Sequence, residues 1–247
     1  MSGQPSQQEP AVQRLRVRYA KRGRLRFTSH RDFARALERA IRRAGLPIAF
    51  SSGFSPHPRI SYANASPTGA ASEAEYLEIS LTKEADPVAV REALDEALPA
   101  GLDVTHVVVA PTGALADLLE ASRWRLELPQ VDVIEAADAV SRFLASDAVE
   151  VERMTKRGLR TFDCRRAVVQ MSASAGFRVD EDRCAILEMV VRHDTPAVRP
   201  DDILAGLRMT AGLVFPVPPL QTRIEQGPLD SRTGSVKDPL DPDRDAP

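Results

Sequence analysis

The sequence predicts an α+β protein made of two tandem ferredoxin-like (βαββαβ) units with disordered N- and C-terminal tails. The chain has 247 residues, the length of one large or two modest domains. Segments with two-residue and helical apolar periods follow in the order strand, helix, strand, strand, helix, strand. A weaker version of that order follows, and both ends of the chain are polar.

The first unit is predicted at residues 14–111, and its clearest element is a helix at 31–45. Ser29 is a candidate N-cap, and Asp32 stands three positions later, as in a capping box. A second helix is predicted at 86–98. The strands are predicted at 14–19, 59–63, 74–81 and 102–110, while 24–27 either continues the first strand or pairs with it as a hairpin.

The second unit is predicted at residues 122–227, after a linker at 111–121 that is itself a candidate helix. It has one strand more than the first unit. Its helices are predicted at 133–145 and 201–209, and its strands at 124–128, 149–155, 161–172, 185–192 and 220–225, the second and third forming a hairpin.

The two ends of the chain are predicted to be disordered. Residues 1–13 are rich in Gln, Pro and Ser and form a predicted disordered arm. Residues 228–247 carry Pro, Asp and Gly with few apolar residues, and form a predicted disordered acidic tail.

The net charge of −2 hides a strong polarity along the chain. Residues 1–62 carry 13 Lys or Arg against 3 Asp or Glu, whereas residues 63–121 carry 2 against 11. An asymmetry of this kind favours a polyanion-binding surface. The alternative is that the basic and acidic segments neutralise each other across one fold.

Several function classes have no support in the sequence. The chain lacks GxGxxG, GxxxxGK[ST], HExxH and GxSxG motifs, and no metal or organic cofactor is indicated. Cys164 and Cys184 stand far apart outside any metal-ligand spacing and are expected to be buried thiols. No stretch has the length of a membrane span, and the first residues do not form a signal peptide, so we expect a cytoplasmic protein.

The strongest candidate surface is the basic side of the first helix. Its arginines fall within a 120° arc, and Arg24 and Arg26 precede it; the five are Arg31, Arg35, Arg39, Arg42 and Arg43. Arginine makes planar, bidentate contacts with phosphate. The alternative is a solvated face paired with the acidic helix that contains Glu92, Asp95 and Glu96.

Two further candidates lie beside this helix. His30 stands where a strand meets the helix N-terminus, a natural anion site, although a simple capping box accounts for it equally well. His57 and Arg59 lie in a proline-flanked loop with Phe54, a combination typical of single-strand recognition. The alternative is a structural turn in which Phe54 fills the core.

The runs FTSHRDFARALERAIRRAGLP and SSGFSPHPRISYA, with the later EYLEISL, resemble the radical-SAM-linked domain family of uncharacterised function, across residues 14–200. That domain occurs alone in actinobacteria and elsewhere as the C-terminal part of radical SAM proteins. The resemblance implies a radical SAM partner, and an RNA context through neighbouring ribonuclease E/G-type enzymes. This chain lacks the CxxxCxxC motif of a radical SAM enzyme, so we expect no such catalysis from it alone.

These observations predict a non-catalytic RNA-binding or adaptor protein, with tRNA or rRNA as ligand and a radical SAM or ribonuclease partner. One alternative is a protein-interaction subunit that does not bind RNA. Another is a metal-independent endoribonuclease in which His30 and His57 act as base and acid, a hypothesis that rests on fold analogy.

Overall fold

The computed structural model describes residues 8–111, 113–155, 158–176 and 184–241. The protein is an α+β protein, with four α-helices and a multi-stranded sheet in these residues. The chain divides into a first unit that reaches Leu118 and includes residues from Pro239 onward, and a second from Leu119 to Asp238. The candidate helix of the linker is a short 3-10 helix, Leu115–Leu118.

The first unit packs two helices on one face of an antiparallel sheet. Its elements are β1 (Gln13–Lys21), α1 (His30–Arg43), β2 (Ile60–Ala63), β3 (Ala71–Leu81), α2 (Pro87–Ala97) and β4 (Val104–Val109). The strand order is β4-β1-β3-β2. Leu15 and Val17 of β1 join the core with both helices, so Arg14 and Arg16 face the other side of the sheet.

Helix α1 begins where the sequence predicts it. The Ser29 hydroxyl accepts the backbone N–H of Asp32 at 3.2 Å and donates to the Asp32 carboxylate at 2.6 Å. The buried side of the helix consists of Phe33, Leu37, Ala40 and Ile41. Each large apolar side chain that is fully buried contributes about 1.5–3 kcal/mol. The apolar side therefore holds the helix in place, and the basic side is not needed for packing.

Residues 24–27 neither continue β1 nor form a hairpin, and this prediction is wrong. A 3-10 helix runs over Gly23–Phe27. Gly23 adopts a φ of 53°, which turns the chain away from β1. The backbone N–H of Thr28 donates to the Leu25 carbonyl at 2.9 Å and closes the last turn. Two alternating apolar residues are too few to distinguish a strand from such a turn.

The predicted disordered arm is corrected at its end, while residues 1–7 lie outside the described residues. The backbone N–H of Val12 donates to the last residue of β3 at 2.9 Å. The Gln13 side chain exchanges two hydrogen bonds with the backbone of Ala85, at 2.9 and 3.1 Å. These long-range partners order residues whose polar composition predicts disorder.

The second unit has a similar sheet with an added hairpin. Its elements are β5 (Ala121–Pro129), α3 (Val133–Ala145), β6 (Glu150–Thr155), β7 (Gly158–Asp163), β8 (Val168–Ala175), β9 (Cys184–Arg192), α4 (Pro200–Ala211) and β10 (Leu220–Gly227). The antiparallel order is β10-β5-β9-β8, and β6 pairs with β7 as a separate two-stranded sheet.

The predicted strand at 161–172 is in fact two strands, β7 and β8, separated by a turn. The Asp163 carboxylate accepts the backbone N–H groups of Val149 and Arg165, both at 2.9 Å. The Arg165 guanidinium donates to the Leu144 carbonyl at 3.1 and 3.3 Å. Contacts with residues distant in sequence therefore break a strand that the local alternation predicts to be continuous.

The predicted disordered tail is corrected over residues 228–241, while the last six residues lie outside the described residues. Val236 is buried against β5 and β9. The Asp230 carboxylate accepts the backbone N–H of Arg232 at 2.9 Å, and this hydrogen bond lowers the pKa of Asp230. A side-chain–capped turn and a buried aliphatic anchor order this segment despite its polar composition.

Candidate nucleic-acid interface

One face of α1 carries arginines that point away from the core. All five are exposed: Arg31, Arg35, Arg39, Arg42 and Arg43. Within the described ranges, none of the five forms an ion pair with a carboxylate. Arg43 donates to the Ala97 carbonyl at 3.2 Å. The face is thus an exposed surface whose arginines form no ion pair with a described carboxylate.

The acidic residues of α2 do not neutralise this surface. Glu92 pairs with Arg91 of its own helix at 3.0 Å. The Asp95 carboxylate accepts the backbone N–H of Val104 at 2.8 Å and so secures the start of β4. In the described part of the chain no ion pair joins α1 to α2, and Arg43 reaches α2 through the Ala97 carbonyl instead of a carboxylate.

The residues just before α1 and at its first turn are less available to an anion. Arg24 is exposed and Arg26 is half-buried in the 3-10 helix. The His30 ring lies edge-on to Tyr62, with ring centroids 4.7 Å apart. Burial, with a smaller contribution from the charge of Glu38, raises the pKa of Tyr62 to about 12. The Asp32 carboxylate already occupies the helix N-terminus through Ser29, so a phosphate there would meet a like charge.

The proline-flanked loop is a closed turn held by its own backbone. The Ser51 N–H donates to the His57 carbonyl at 2.8 Å, and the His57 N–H donates to the Ser51 hydroxyl at 3.0 Å. The Arg59 N–H donates to the Ala49 carbonyl at 2.8 Å. Phe54 is 86% exposed at the tip of the loop, so the alternative that places it in the core is wrong.

His57 and Arg59 line a groove beside β2, on the side of the sheet opposite α1. The groove has a volume of about 330 Å³. Its other polar lining residues are Arg14, Ser51, Ser61, Glu78 and Ser80. In the sheet register, Ser61 lies opposite Glu78 and Ser80 lies opposite Arg14, so all four side chains share one face.

Most of this groove does not follow from the sequence. Arg14 is predicted only as part of the polar side of a strand, and Ser61 and Ser80 have no predicted role. These residues stand in three separate segments, and only the register of β1, β2 and β3 brings them together. The alternation of arginine along β1 is the one local signal that marks the polar face.

The candidate site therefore divides into two surfaces. The first is the arginine face of α1. The second is the groove that contains His57 and Arg59, with Phe54 on the same loop. The two histidines occupy different surroundings, since His30 contacts Tyr62 on the helix side of β2 whereas His57 lines the groove.

The two cysteines and His193 are held by contacts within the fold. Cys164 and Cys184 are buried free thiols, as predicted, and burial raises the pKa of Cys164 to about 12. His193 lies 2.8 Å from the Ser122 hydroxyl and 2.7 Å from the Leu119 carbonyl. None of the helices in the described ranges has the length and apolar composition needed to cross a membrane.

A bacterial protein family matches most of the chain. It is described as "uncharacterized protein conserved in bacteria" (DUF2344), and the match covers residues 14–200. This range runs from β1 to the first residue of α4, so it includes both candidate surfaces. A comparison with curated proteins finds no match.

Proposed function

The chain belongs to this family of uncharacterised bacterial proteins, and we propose that it is a non-catalytic RNA-binding protein. The observation that carries the proposal is the row of exposed arginines on α1, which lack ion pairs within the described residues. Unpaired arginines of this kind bind a polyanion favourably, because each phosphate that they neutralise releases counterions condensed on the nucleic acid.

The spacing of these arginines supports a binding role over a structural one. Arg31, Arg35, Arg39 and Arg43 follow each other at intervals of four residues. Like charges at this spacing destabilise a helix by roughly 0.2–0.5 kcal/mol per pair. Glu38 stands at helix spacing from Arg35 and Arg42 and offsets part of this repulsion, and a bound polyanion would remove the rest.

The strand orders β4-β1-β3-β2 and β10-β5-β9-β8, each with two helices among its connections, favour two ferredoxin-like units, the second enlarged by a hairpin. We further propose tRNA or rRNA as the ligand, a cytoplasmic location, and an adaptor role beside the radical SAM or RNA-processing enzyme that the family resemblance implies.

Salt-dependent RNA binding tests the proposal. Purified protein is titrated into labelled tRNA and rRNA fragments over a range of salt concentrations, beside the variant R35E/R39E. The variant is expected to bind more weakly and to lose roughly 0.9 from the salt slope for each duplex phosphate contact removed. R142E/R232E is the matched control, because it makes the same charge change at exposed arginines of the second unit.

Two outcomes would contradict the proposal. If R35E/R39E binds RNA like the wild type, the assignment of α1 is wrong. If the wild type binds RNA no better than a charge-matched unrelated protein, RNA binding itself fails. The α1 surface would then fit an acidic protein partner, which should copurify with the wild type and be lost from R35E/R39E.

A further inference from the structure

We infer that the groove beside β2 binds one ribonucleoside phosphate unit of a single-stranded RNA, an inference that rests on the proposed RNA-binding function. The groove lies on the side of the sheet opposite α1 and brings together side chains of β1, β2, β3 and the loop before β2. It is therefore a second contact site, distinct from the arginine face of α1.

The guanidinium of Arg59 supplies the phosphate contact. Arg59 is exposed and forms no ion pair within the described residues. Arg14 donates to the carbonyls of Pro111 and Gly113, at 2.6 and 3.1 Å, and its Nε lies 3.8 Å from the Glu78 carboxylate, so its guanidinium is held at the wall of the groove. The guanidinium of Arg59 is the one available for a planar, bidentate phosphate contact, and Arg14 and His57 line the same groove.

The opposite part of the groove suits a ribose. The Glu78 carboxylate accepts the Nε–H of buried Arg16 at 3.0 Å and lies 3.8 Å from the Nε of Arg14, so two guanidinium groups balance its charge. A carboxylate in this state still accepts hydrogen bonds from hydroxyl groups. The hydroxyls of Ser61 and Ser80 lie beside it. Acceptors for the 2′-hydroxyl are what allow a protein to distinguish RNA from DNA.

The size of the groove and its aromatic neighbours favour a single strand. A volume of about 330 Å³ is at the lower end for small-molecule sites and accommodates one nucleotide, not a duplex. The loop that supplies His57 also exposes Phe50 and Phe54, at 37% and 86%. Phe50 pairs through its backbone with Pro58, which lines the groove. Exposed rings beside a basic groove are typical of surfaces that stack unpaired bases.

Fluorescence anisotropy with matched ligands tests this site. The probes are a short single-stranded oligoribonucleotide, its deoxy counterpart, an RNA duplex and free uridine monophosphate. R59Q removes one phosphate donor, and S61V fills the groove with a residue that strands favour. R232Q is the control at an exposed arginine of the second unit.

We expect R59Q to weaken binding of the single-stranded RNA by roughly tenfold, the usual effect of losing a hydrogen bond to a charged group. S61V should weaken the same ligand and reduce the preference for RNA over DNA. Binding of duplex RNA should stay unchanged in both variants, and R232Q should bind like the wild type.

The other outcomes separate this inference from the proposed function. If R59Q and S61V bind single-stranded RNA like the wild type while R35E/R39E does not, the groove assignment is overturned and RNA binding by α1 stands. If the wild type binds only uridine monophosphate, and R59Q abolishes this binding, the ribonucleotide site is supported and the RNA-binding function is overturned. Binding of neither ligand overturns both.

Discussion

Arginine is placed differently in two regions of the molecule, the second unit and the exposed face of α1. In the second unit, Arg123 lies opposite Glu225 across β5 and β10 and donates twice to its carboxylate, both times at 2.9 Å. Arg153 donates to the buried Asp202 at 2.5 Å. The α1 arginines form no such pair within the described residues.

The difference shows that residue type alone does not mark a binding surface. The hydrogen bonds that Arg123 donates to the Glu225 carboxylate hold the pKa of Arg123 above its usual range, so this charge joins β5 to β10. A paired guanidinium has already exchanged water for a carboxylate and gains less from an incoming phosphate. Position relative to acidic partners therefore separates structural arginines from candidate phosphate contacts.

The largest expected effect lies in the second unit, in the variant R153M. Arg153 also donates to the Ala197 carbonyl at 3.0 Å and lies over the Phe162 ring, 4.8 Å from its centroid. Its removal leaves Asp202, with a side chain only 6% exposed, without its charge partner. Loss of one member of a buried pair costs about 3 kcal/mol or more, and chemical unfolding measures the change.

The matched variant in the first unit is R39M. Arg39 is exposed and unpaired in the described part of the chain, so the same substitution should change the unfolding free energy by less than about 0.5 kcal/mol. Equal unfolding free energies for R153M and R39M would contradict the distinction between structural and binding arginines.

A smaller effect is expected from the pH dependence of the second unit. Burial is the main cause that lowers the pKa of His193 below its usual 6.5. The unfolded chain then binds a proton more readily than the folded one. The contribution of neutral His193 to the unfolding free energy is fully present above pH 6.5. It is lost as the pH falls from 6.5 through the lower pKa of the folded state.

Unfolding by urea on either side of pH 6.5 measures this effect. The variant H193Q lacks the buried imidazole at this position, so its stability should fall less on acidification than that of the wild type. Equal slopes for the two proteins would show that burial of His193 in the folded state does not control the acid response.

Local signals predicted the helices best, because their information lies within a few residues. The Ser29 cap and the apolar side of α1 are both set by short spacings. The turn at Gly23–Phe27 and the break between β7 and β8 escaped prediction for different reasons. The first has too few residues to show a period, and the second depends on Asp163 and Arg165 binding distant backbone groups.

The candidate site shows the same limit. The arginine face of α1 was predicted because a single helix carries it. Of the residues that line the groove, the sequence predicts a role only for His57 and Arg59, because Arg14, Ser61, Glu78 and Ser80 come from strands whose register no local pattern encodes. Arg14 lies in a predicted strand, but nothing local shows that its side chain faces the groove.

The smallest expected change in stability gives the sharpest test of the comparison. R39E places a carboxylate three or four residues from Arg35, Arg42 and Arg43, so it replaces like-charge pairs with opposite-charge pairs. The unfolding free energy should rise by about 0.5 kcal/mol, while RNA binding weakens and its salt slope falls. R39Q removes the charge alone and should lie between the wild type and R39E in both measurements.

A structural role for the α1 arginines requires the opposite result. If Arg39 stabilised the fold through a partner, R39E would lower the melting temperature, and weaker RNA binding would follow from partial unfolding. A variant that is more stable yet binds RNA less well separates the two explanations, because only a surface maintained for a ligand loses function while the free protein gains stability.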